Sequence, residues 1–102
     1  MSLASLDLNL LKALEALLTT ESVSKAAAKL NVTQSAASHA LARLRILFND
    51  PLLVRVGPAM HASAKAIELR APLERAMSDI QALMATARSS SRRARGASFA
   101  LR

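Results

Sequence analysis

A group of small polar side chains occupies one face of a helix predicted to follow position 33. Its members are Gln34, Ser35, Ser38, His39 and Ala42. Amide, hydroxyl and imidazole groups donate and accept hydrogen bonds, so they suit base edges, with Gln able to pair with adenine. A solvated helix face usually carries several Lys and Glu residues, and this face has neither. The composition therefore favours contact with DNA over an ordinary solvated face.

Basic residues are concentrated near this face. Residues 22–55 contain five of them against the single acid Asp50, a local net charge of +4; they are Lys25, Lys29, Arg43, Arg45 and Arg55. The overall charge of +7 is less informative, because five arginines lie in the acid-free segment 88–102. A local basic patch is typical of nucleic-acid-binding proteins. The alternative is a charged face that only contacts solvent.

The sequence gives little support for catalysis or metal binding. The sequence has no cysteine, and His39 and His61 are its two histidines, which is too few for a histidine-based metal site. No nucleophile, base and orienting group converge. We therefore predict no catalytic residue, metal ligand or cofactor.

Two helices and a short turn must position the polar face. Ser22 can cap a helix over Val23–Leu30, and the small Ala27 permits close helix packing. Asn31 tolerates the left-handed backbone that the turn requires. Val32 and Ala37 are expected to fill the angle between the two helices.

The second of these helices has an apolar side opposite its polar face. Thr33 can cap it, and Ala37, Leu41, Leu44 and Phe48 recur at helical spacing. An earlier helix over residues 7–19 is capped by Asp7 and directs a leucine stripe to the core, namely Leu10, Leu14, Leu17 and Leu18.

A hairpin is predicted after Pro51, which ends the preceding helix. The largely apolar segment 52–56 and residues 60–62 would form its two strands, joined by the Gly57-Pro58 turn. A hairpin after such a helix is a wing, from which Arg55 would point toward a phosphate or the minor groove. The alternative for Arg55 is an exposed surface charge.

A long helix is predicted from Ala64 to about Ala87, capped by Ser63, with a heptad seam. The seam and its neighbours are Ala66, Leu69, Leu73, Ala76, Met77, Ile80, Leu83 and Met84. So small a domain should not cover this seam, which would pair with a second copy or pack on missing chain. Residues 88–97 are polar and basic and are predicted to be an unstructured linker. Residues 98–102 begin an alternating pattern and would start another domain.

Taken in order, these motifs resemble the N-terminal DNA-binding domain of LysR-type transcriptional regulators over about residues 6–87. The matching segments are 6–11, 22–27, 30–38, 41–44 and 50–55. The resemblance implies a mostly α fold: a winged helix-turn-helix over residues 1–62, a linker helix over 63–87 that forms an antiparallel dimer, and a basic linker with the start of an effector-binding domain over 88–102.

The resemblance also implies which residues contact double-stranded promoter DNA. They are Ser24, Lys25, Thr33, Gln34, Ser35, Ser38, His39, Arg43 and Arg55. One departure is Ser35, where the family usually has a Pro that packs on a thymine methyl group. A small-molecule inducer would bind only the absent C-terminal domain, and a full-length protein could form a tetramer.

The expected protein is thus a cytoplasmic, nucleoid-associated regulator that binds a partly palindromic promoter site as a dimer. The sequence shows no signal peptide and no apolar segment long enough to span a membrane. The alternative function is a protein–protein module that uses the winged fold and long helix only for assembly. That alternative would require exposed apolar residues on the face that is polar here.

Overall fold

The computed structural model describes residues 7–97, with side chains for residues 7–88. Within this range the chain forms four helices and a two-stranded antiparallel sheet. In order they are α1 (Leu8–Thr20), α2 (Val23–Leu30), α3 (Gln34–Phe48), β1 (Leu53–Val56), β2 (Ala59–Ala62) and α4 (Ala64–Ala97). This architecture confirms the predicted winged helix-turn-helix followed by a long helix.

Each predicted N-cap accepts a hydrogen bond from a free backbone N–H of its helix. The acceptor and donor pairs are Asp7 and Leu10 at 2.8 Å, Ser22 and Lys25 at 3.2 Å, Thr33 and Ala36 at 3.0 Å, and Ser63 and Ala66 at 3.1 Å. Such caps satisfy amides that a helix start otherwise leaves without partners. Local sequence thus fixes where all four helices begin.

The turn between α2 and α3 has the backbone that was predicted for Asn31. Its φ is 59°, its N–H donates to the carbonyl of Ala28, and the next N–H, of Val32, donates to the carbonyl of Ala27. This pair of bonds ends α2 as a Schellman motif. The prediction that Val32 fills the interhelical angle is wrong, because its side chain is 45% exposed. Ala37, the fourth residue of α3, is buried as predicted.

The core lies where α1, α2, α3, the wing and the first half of α4 meet. Its largest fully buried side chains are Leu14, Leu17, Leu44, Leu52 and Leu53. The predicted stripes of α1 and α3 are both buried, with Phe48 packed partly against the same cluster. Burying each of these leucines contributes about 1.5–3 kcal/mol.

The wing is a short hairpin in which Arg55 pairs with Met60 and Val56 with Ala59. Its two-residue turn contains Gly57 at a φ of +61° followed by Pro58. The favoured two-residue hairpin turns have positive φ at their first central residue, which glycine adopts without strain. The predicted hairpin and its turn are therefore confirmed.

Helix α4 departs from its prediction in two ways. Ala66, Leu73 and Met77 are buried by their own domain, and Leu69 and Ile80 pack against its core. The expectation that the seam has too little protein to cover it is wrong here, because α4 folds back against α1. Only the later part of the seam is open, where Leu83 and Met84 are 65% and 53% exposed.

The second departure concerns residues 88–97, which were predicted to be an unstructured linker and instead continue α4 to Ala97. Extending an existing helix is easier than starting one, because each added residue gains a hydrogen bond without a new nucleation step. Alanine and arginine in this segment also favour helix. The alternating pattern predicted at 98–102 lies outside the described residues.

Candidate nucleic-acid interface

Five predicted contact residues meet in a groove between the start of α2, α3 and the wing. The groove has a volume of about 580 Å³, and Ser24, Lys25, Gln34, Ser38 and Arg55 line it. Its other lining residues are Thr20, Glu21, Ser22, Val23, Pro58, Ala59 and Met60. We call it the α2–α3–wing groove. The structure thus assembles side chains that are up to 31 positions apart in the sequence.

Two further predicted contacts lie on the other flank of α3. His39 and Arg43 line a smaller depression of about 250 Å³ together with Asp7 and Asn9 near the start of α1. Both His39 and Arg43 are exposed. Because 3.6 residues make one helical turn, Gln34 and Arg43 fall on opposite flanks of the exposed side of α3. The exposed side of α3, which lies opposite its buried stripe, therefore forms a ridge between the two depressions.

The remaining predicted contacts are exposed at the start of the ridge. Ser35 lines neither depression, and it is exposed on α3. The hydroxyl oxygen of Thr33 accepts the capping bond from Ala36, so its proton is still available for a donor role. In the α2–α3–wing groove, the hydroxyl of Ser24 lies 3.2 Å from the hydroxyl of Ser22.

The basic patch is smaller than the sequence indicated. Lys25 and Arg55 face the α2–α3–wing groove and Arg43 faces the other depression. Lys29 lines a separate pocket with Leu8 and Met77, away from α3. Arg45 is half-buried, and its guanidinium binds backbone carbonyls. Arg45 and Lys29 therefore do not belong to the charged surface around the ridge.

Arg45 instead holds the start of the wing against the end of α3. Its Nε donates to the carbonyl of Pro51 at 2.8 Å and its Nη2 donates to the carbonyl of Leu53 at 3.0 Å. Between them Leu52 has a φ of 63°, unusual for a branched residue, and is fully buried. The N–H of Leu53 donates back to Pro51 at 2.6 Å, which closes a three-residue turn.

A carboxylate secures the same turn from the other side. Asp50 Oδ2 accepts hydrogen bonds from the hydroxyl of Ser63 at 2.6 Å and from the N–H of Leu52 at 2.8 Å. The Ser63 bond, followed by the Leu52 bond, lowers the pKa of Asp50 from its ordinary value of 3.8. Burial has a smaller, opposing effect, and the nearby charge of Lys65 lowers the pKa slightly further. Asp50 therefore links the end of α3, the wing and the start of α4.

Glu21 binds the last residue of β2, at the end of the hairpin opposite its turn. Its Oε2 accepts a hydrogen bond from the N–H of Ala62 at 2.7 Å and lies 3.6 Å from Nη2 of Arg70 on α4. The same Arg70 nitrogen donates to the carbonyl of Leu18 at 3.1 Å. The negative charge of Glu21 at the edge of the α2–α3–wing groove is thus partly compensated.

Among residues 7–97, no group of three or more His, Asp or Glu side chains could hold a metal ion. No helix in that range is both long enough and apolar enough to cross a membrane.

A family model described as a bacterial regulatory helix-turn-helix protein of the lysR family matches residues 8–66. The chain belongs to this family. The match begins at α1 and ends in the first turn of α4, so it contains the α2–α3–wing groove, all of the wing and, apart from Asp7, the residues that line the smaller depression. The predicted LysR-type resemblance is confirmed.

Other transcriptional regulators resemble the chain in sequence and structure. The transcriptional regulator LeuO of Escherichia coli (strain K12) is 37% identical over 79 residues, which are 78% of this chain and 25% of LeuO. A probable transcriptional regulator of Pseudomonas aeruginosa, PA0477, is 39% identical with a TM-score of 0.71, covering 78% of this chain and 26% of that one. The chain therefore spans about a quarter of the length of these relatives.

A third similar structure contains DNA. It is the BenM DNA-binding domain in complex with catB site 1 DNA, which is 19% identical with a TM-score of 0.77. The match covers 84% of this chain and 97% of the BenM domain. At this identity the likeness shows a shared fold.

The residues that hold the wing in this lysR-family domain were not predicted. Glu21, Asp50, Ser63 and Arg70 carried no functional role in the sequence, and Arg45 was counted with the basic patch. Apart from the bond between Asp50 and Leu52, the bonds with which they hold the wing reach partners 6 to 52 positions away, from Arg45 with Pro51 to Arg70 with Leu18. No local spacing rule could have found them. The one signal in the sequence was that the helix ends at Pro51, which indicates a turn but not the residues that bind it.

Proposed function

We propose that this domain binds double-stranded promoter DNA sequence-specifically, as part of a lysR-type transcriptional regulator. Helix α3 enters the major groove, and the wing contacts the backbone or the minor groove. The observation that carries the proposal is the polar ridge of α3 flanked by Lys25 and Arg55 on one side and Arg43 on the other. A protein-binding module would expose apolar side chains along this ridge, whereas Gln34, Ser35 and Ser38 at its start are polar and the exposed Ile46 lies near the end of the helix.

The dimensions and polarity of α3 suit DNA. A helix with its side chains is about 10–12 Å across, and the major groove is about 12 Å wide. Gln34 and Ser38 lie one turn apart on the exposed side and can reach adjacent base pairs. Ser35 can donate a hydrogen bond where the resemblance implies a proline, so base preference there would differ from that of other family members.

The start of α3 also suits a phosphate. Thr33 satisfies the N–H of Ala36 with its side chain and that of Ala37 with its carbonyl. The amides of Gln34 and Ser35 remain at the exposed start, where the positive end of the helix dipole favours an anion. Lys25 and Arg55 lie across the same groove and would contact phosphates on either side. Arg70 and the Ala62 N–H limit the repulsion that Glu21 would exert.

A dimer would place two such ridges on one DNA face. Leu83 and Met84 are exposed on the part of α4 that extends past the core, and each would gain about 1.5–3 kcal/mol by burial. Pairing of α4 with its copy in antiparallel orientation would cover them through the later part of the seam. Two-fold symmetry would then favour a partly palindromic site. A full-length protein would respond to a small molecule through a further domain and could form a tetramer.

Selection of duplexes from a randomised pool tests this proposal directly. The protein should enrich a shared sequence with two related half-sites, and footprinting should show protection on one face. A double variant, Gln34→Ala with Ser38→Ala, should retain weak binding and lose the enrichment. Thr19→Ala, an exposed change on α1, is the control. Retention of all sequences to the same extent by the wild-type protein would contradict sequence-specific recognition.

A further inference from the structure

We propose that Arg45 is a positioning residue: it orients the wing, and through the wing Arg55, toward DNA. This inference rests on the proposed DNA-binding function and assigns Arg45 a role different from that of the other basic residues near α3. A phosphate contact would need its guanidinium to be free at the surface. The structure shows that two of its donors already bind Pro51 and Leu53.

The two bonds of Arg45 use the planar shape of its side chain. Nε and Nη2 point to carbonyls that flank Leu52, at 2.8 and 3.0 Å. A lysine at this position has the same charge but a single ammonium group, which cannot reproduce the rigid two-donor fork. The feature that matters is therefore the geometry of the guanidinium as well as its charge.

The turn that Arg45 holds needs external support. Leu52 is a non-glycine residue at a φ of 63°, a conformation that costs free energy and persists only where the surroundings enforce it. The buried Leu52 side chain and the Asp50–Ser63 pair restrain one side of the turn. Arg45, in the last turns of α3, restrains the other side of the turn through its bond to the carbonyl of Pro51.

Arg55 lies two residues beyond the second carbonyl that Arg45 binds. Alternate residues of a strand face the same side, so Leu53 and Arg55 share a face of β1. Leu53 is buried in the core, whereas Arg55 is exposed at the α2–α3–wing groove. A tilt at Leu53 would be carried along the short strand and would move the Arg55 guanidinium relative to α3.

The test compares Arg45→Lys with Arg45→Gln, using a duplex that the wild-type protein selects from a randomised pool. If Arg45 orients the wing, both variants should bind roughly 5- to 30-fold more weakly. Both should also flatten the salt dependence as Arg55→Ala does. Arg75→Gln, an exposed change on α4 that alters the charge by the same amount as Arg45→Gln, should bind like the wild type. Wild-type affinity of Arg45→Lys would overturn the proposal.

A double-mutant cycle separates positioning from direct contact. In an Arg55→Ala background, Arg45→Gln should cost little more affinity. An equal loss in both backgrounds would show that Arg45 acts independently of Arg55 and would overturn the inference.

Amide hydrogen exchange provides a measurement that needs no DNA. Arg45→Lys should speed exchange in β1 and β2 and leave α1 unchanged. Equal acceleration in α1 would reveal a general loss of stability and overturn the positioning role. If the wild-type protein selects no duplex, the proposed DNA binding fails, whereas exchange still tests whether Arg45 holds the wing.

Discussion

The carboxylate of Glu21 accepts a hydrogen bond from the backbone N–H of Ala62 at 2.7 Å, joining the end of α1 to the last residue of β2. Glu21 itself has a left-handed backbone, with a φ of 52°, and ends α1. One residue therefore both stops the first helix and secures the wing. The Arg70 guanidinium at 3.6 Å adds a partly exposed ion pair to this link.

Two substitutions of Glu21 should distinguish the contribution of its hydrogen bond to stability from the contribution of its ion pair. Glu21→Ala leaves the partly buried Ala62 N–H without its partner and should lower the free energy of unfolding by about 1–3 kcal/mol. Glu21→Gln keeps an acceptor oxygen and loses only the ion pair, for which the expected loss is about 0–1 kcal/mol. Urea denaturation measures both, with Glu68→Ala on the exposed side of α4 as control. Equal losses in the two variants would assign the effect to charge.

Asp50 should make stability depend on acid pH. Its pKa lies below 3.8 in the folded protein, chiefly because the Ser63 hydroxyl and the Leu52 N–H bind its ionised form. A folded-state pKa below the unfolded one means that the contribution to stability is fully present above about pH 4 and is lost as pH falls through the folded value. Asp50→Asn should therefore be less stable near neutral pH and should lose less on acidification.

Urea midpoints measured from neutral pH into the acid range test this expectation. Asp79→Asn, exposed on α4, is the charge-matched control. If Asp50→Asn and the wild type lose stability in parallel throughout, Asp50 does not contribute to the acid sensitivity.

Gln34 should read a base. Its side chain is exposed at the start of α3 and lines the α2–α3–wing groove. Gln34→Ala should weaken binding to the best site by about 1–3 kcal/mol and relax discrimination at one base pair of each half-site. Competition binding with single-base variants of the selected duplex provides the measurement. If specific and random duplexes lose the same affinity, Gln34 contacts no base.

Arg55 should contribute to the salt dependence. If the protein neutralises about 6–10 phosphates, affinity should fall roughly 10³–10⁵-fold between about 50 and 200 mM salt. Arg55→Ala should make the slope of log affinity against log salt shallower by about 0.9 for each phosphate that Arg55 neutralises. Arg75→Ala is the control, because Arg75 lies on α4 outside both depressions. A slope equal to that of the wild type would remove Arg55 from the interface.

Two leucines of the seam should behave differently when they are substituted. Leu83 is 65% exposed, so Leu83→Asp should leave the fold stable and convert the proposed dimer to monomers. Leu73 is 8% exposed within its own chain, so Leu73→Ala should cost about 2–5 kcal/mol of unfolding free energy. Sedimentation velocity and urea denaturation on both variants measure these effects. A wild-type monomer at tens of micromolar, or a Leu83→Asp dimer, would contradict pairing through this surface.

Local sequence determined the helix starts, the turn at Asn31, the hairpin at Gly57 and the polar ridge of α3. Each depends on residues within a few positions of one another: a cap and the amide three residues on, a left-handed turn residue, or a side chain repeating every three to four residues. The resemblance to the lysR-type family rested on those segments taken in order, and it implied the contact candidates on α3.

Tertiary structure alone decided which charges face outward and which part of α4 is open. Arg45 and Arg55 look alike in the sequence, but one binds carbonyls at the wing and the other lines the groove. The seam of α4 is regular from Ala66 to Leu83, but α1 buries its first half. Both outcomes depend on where distant elements pack, because helical and strand periodicity specify a face without specifying what covers it.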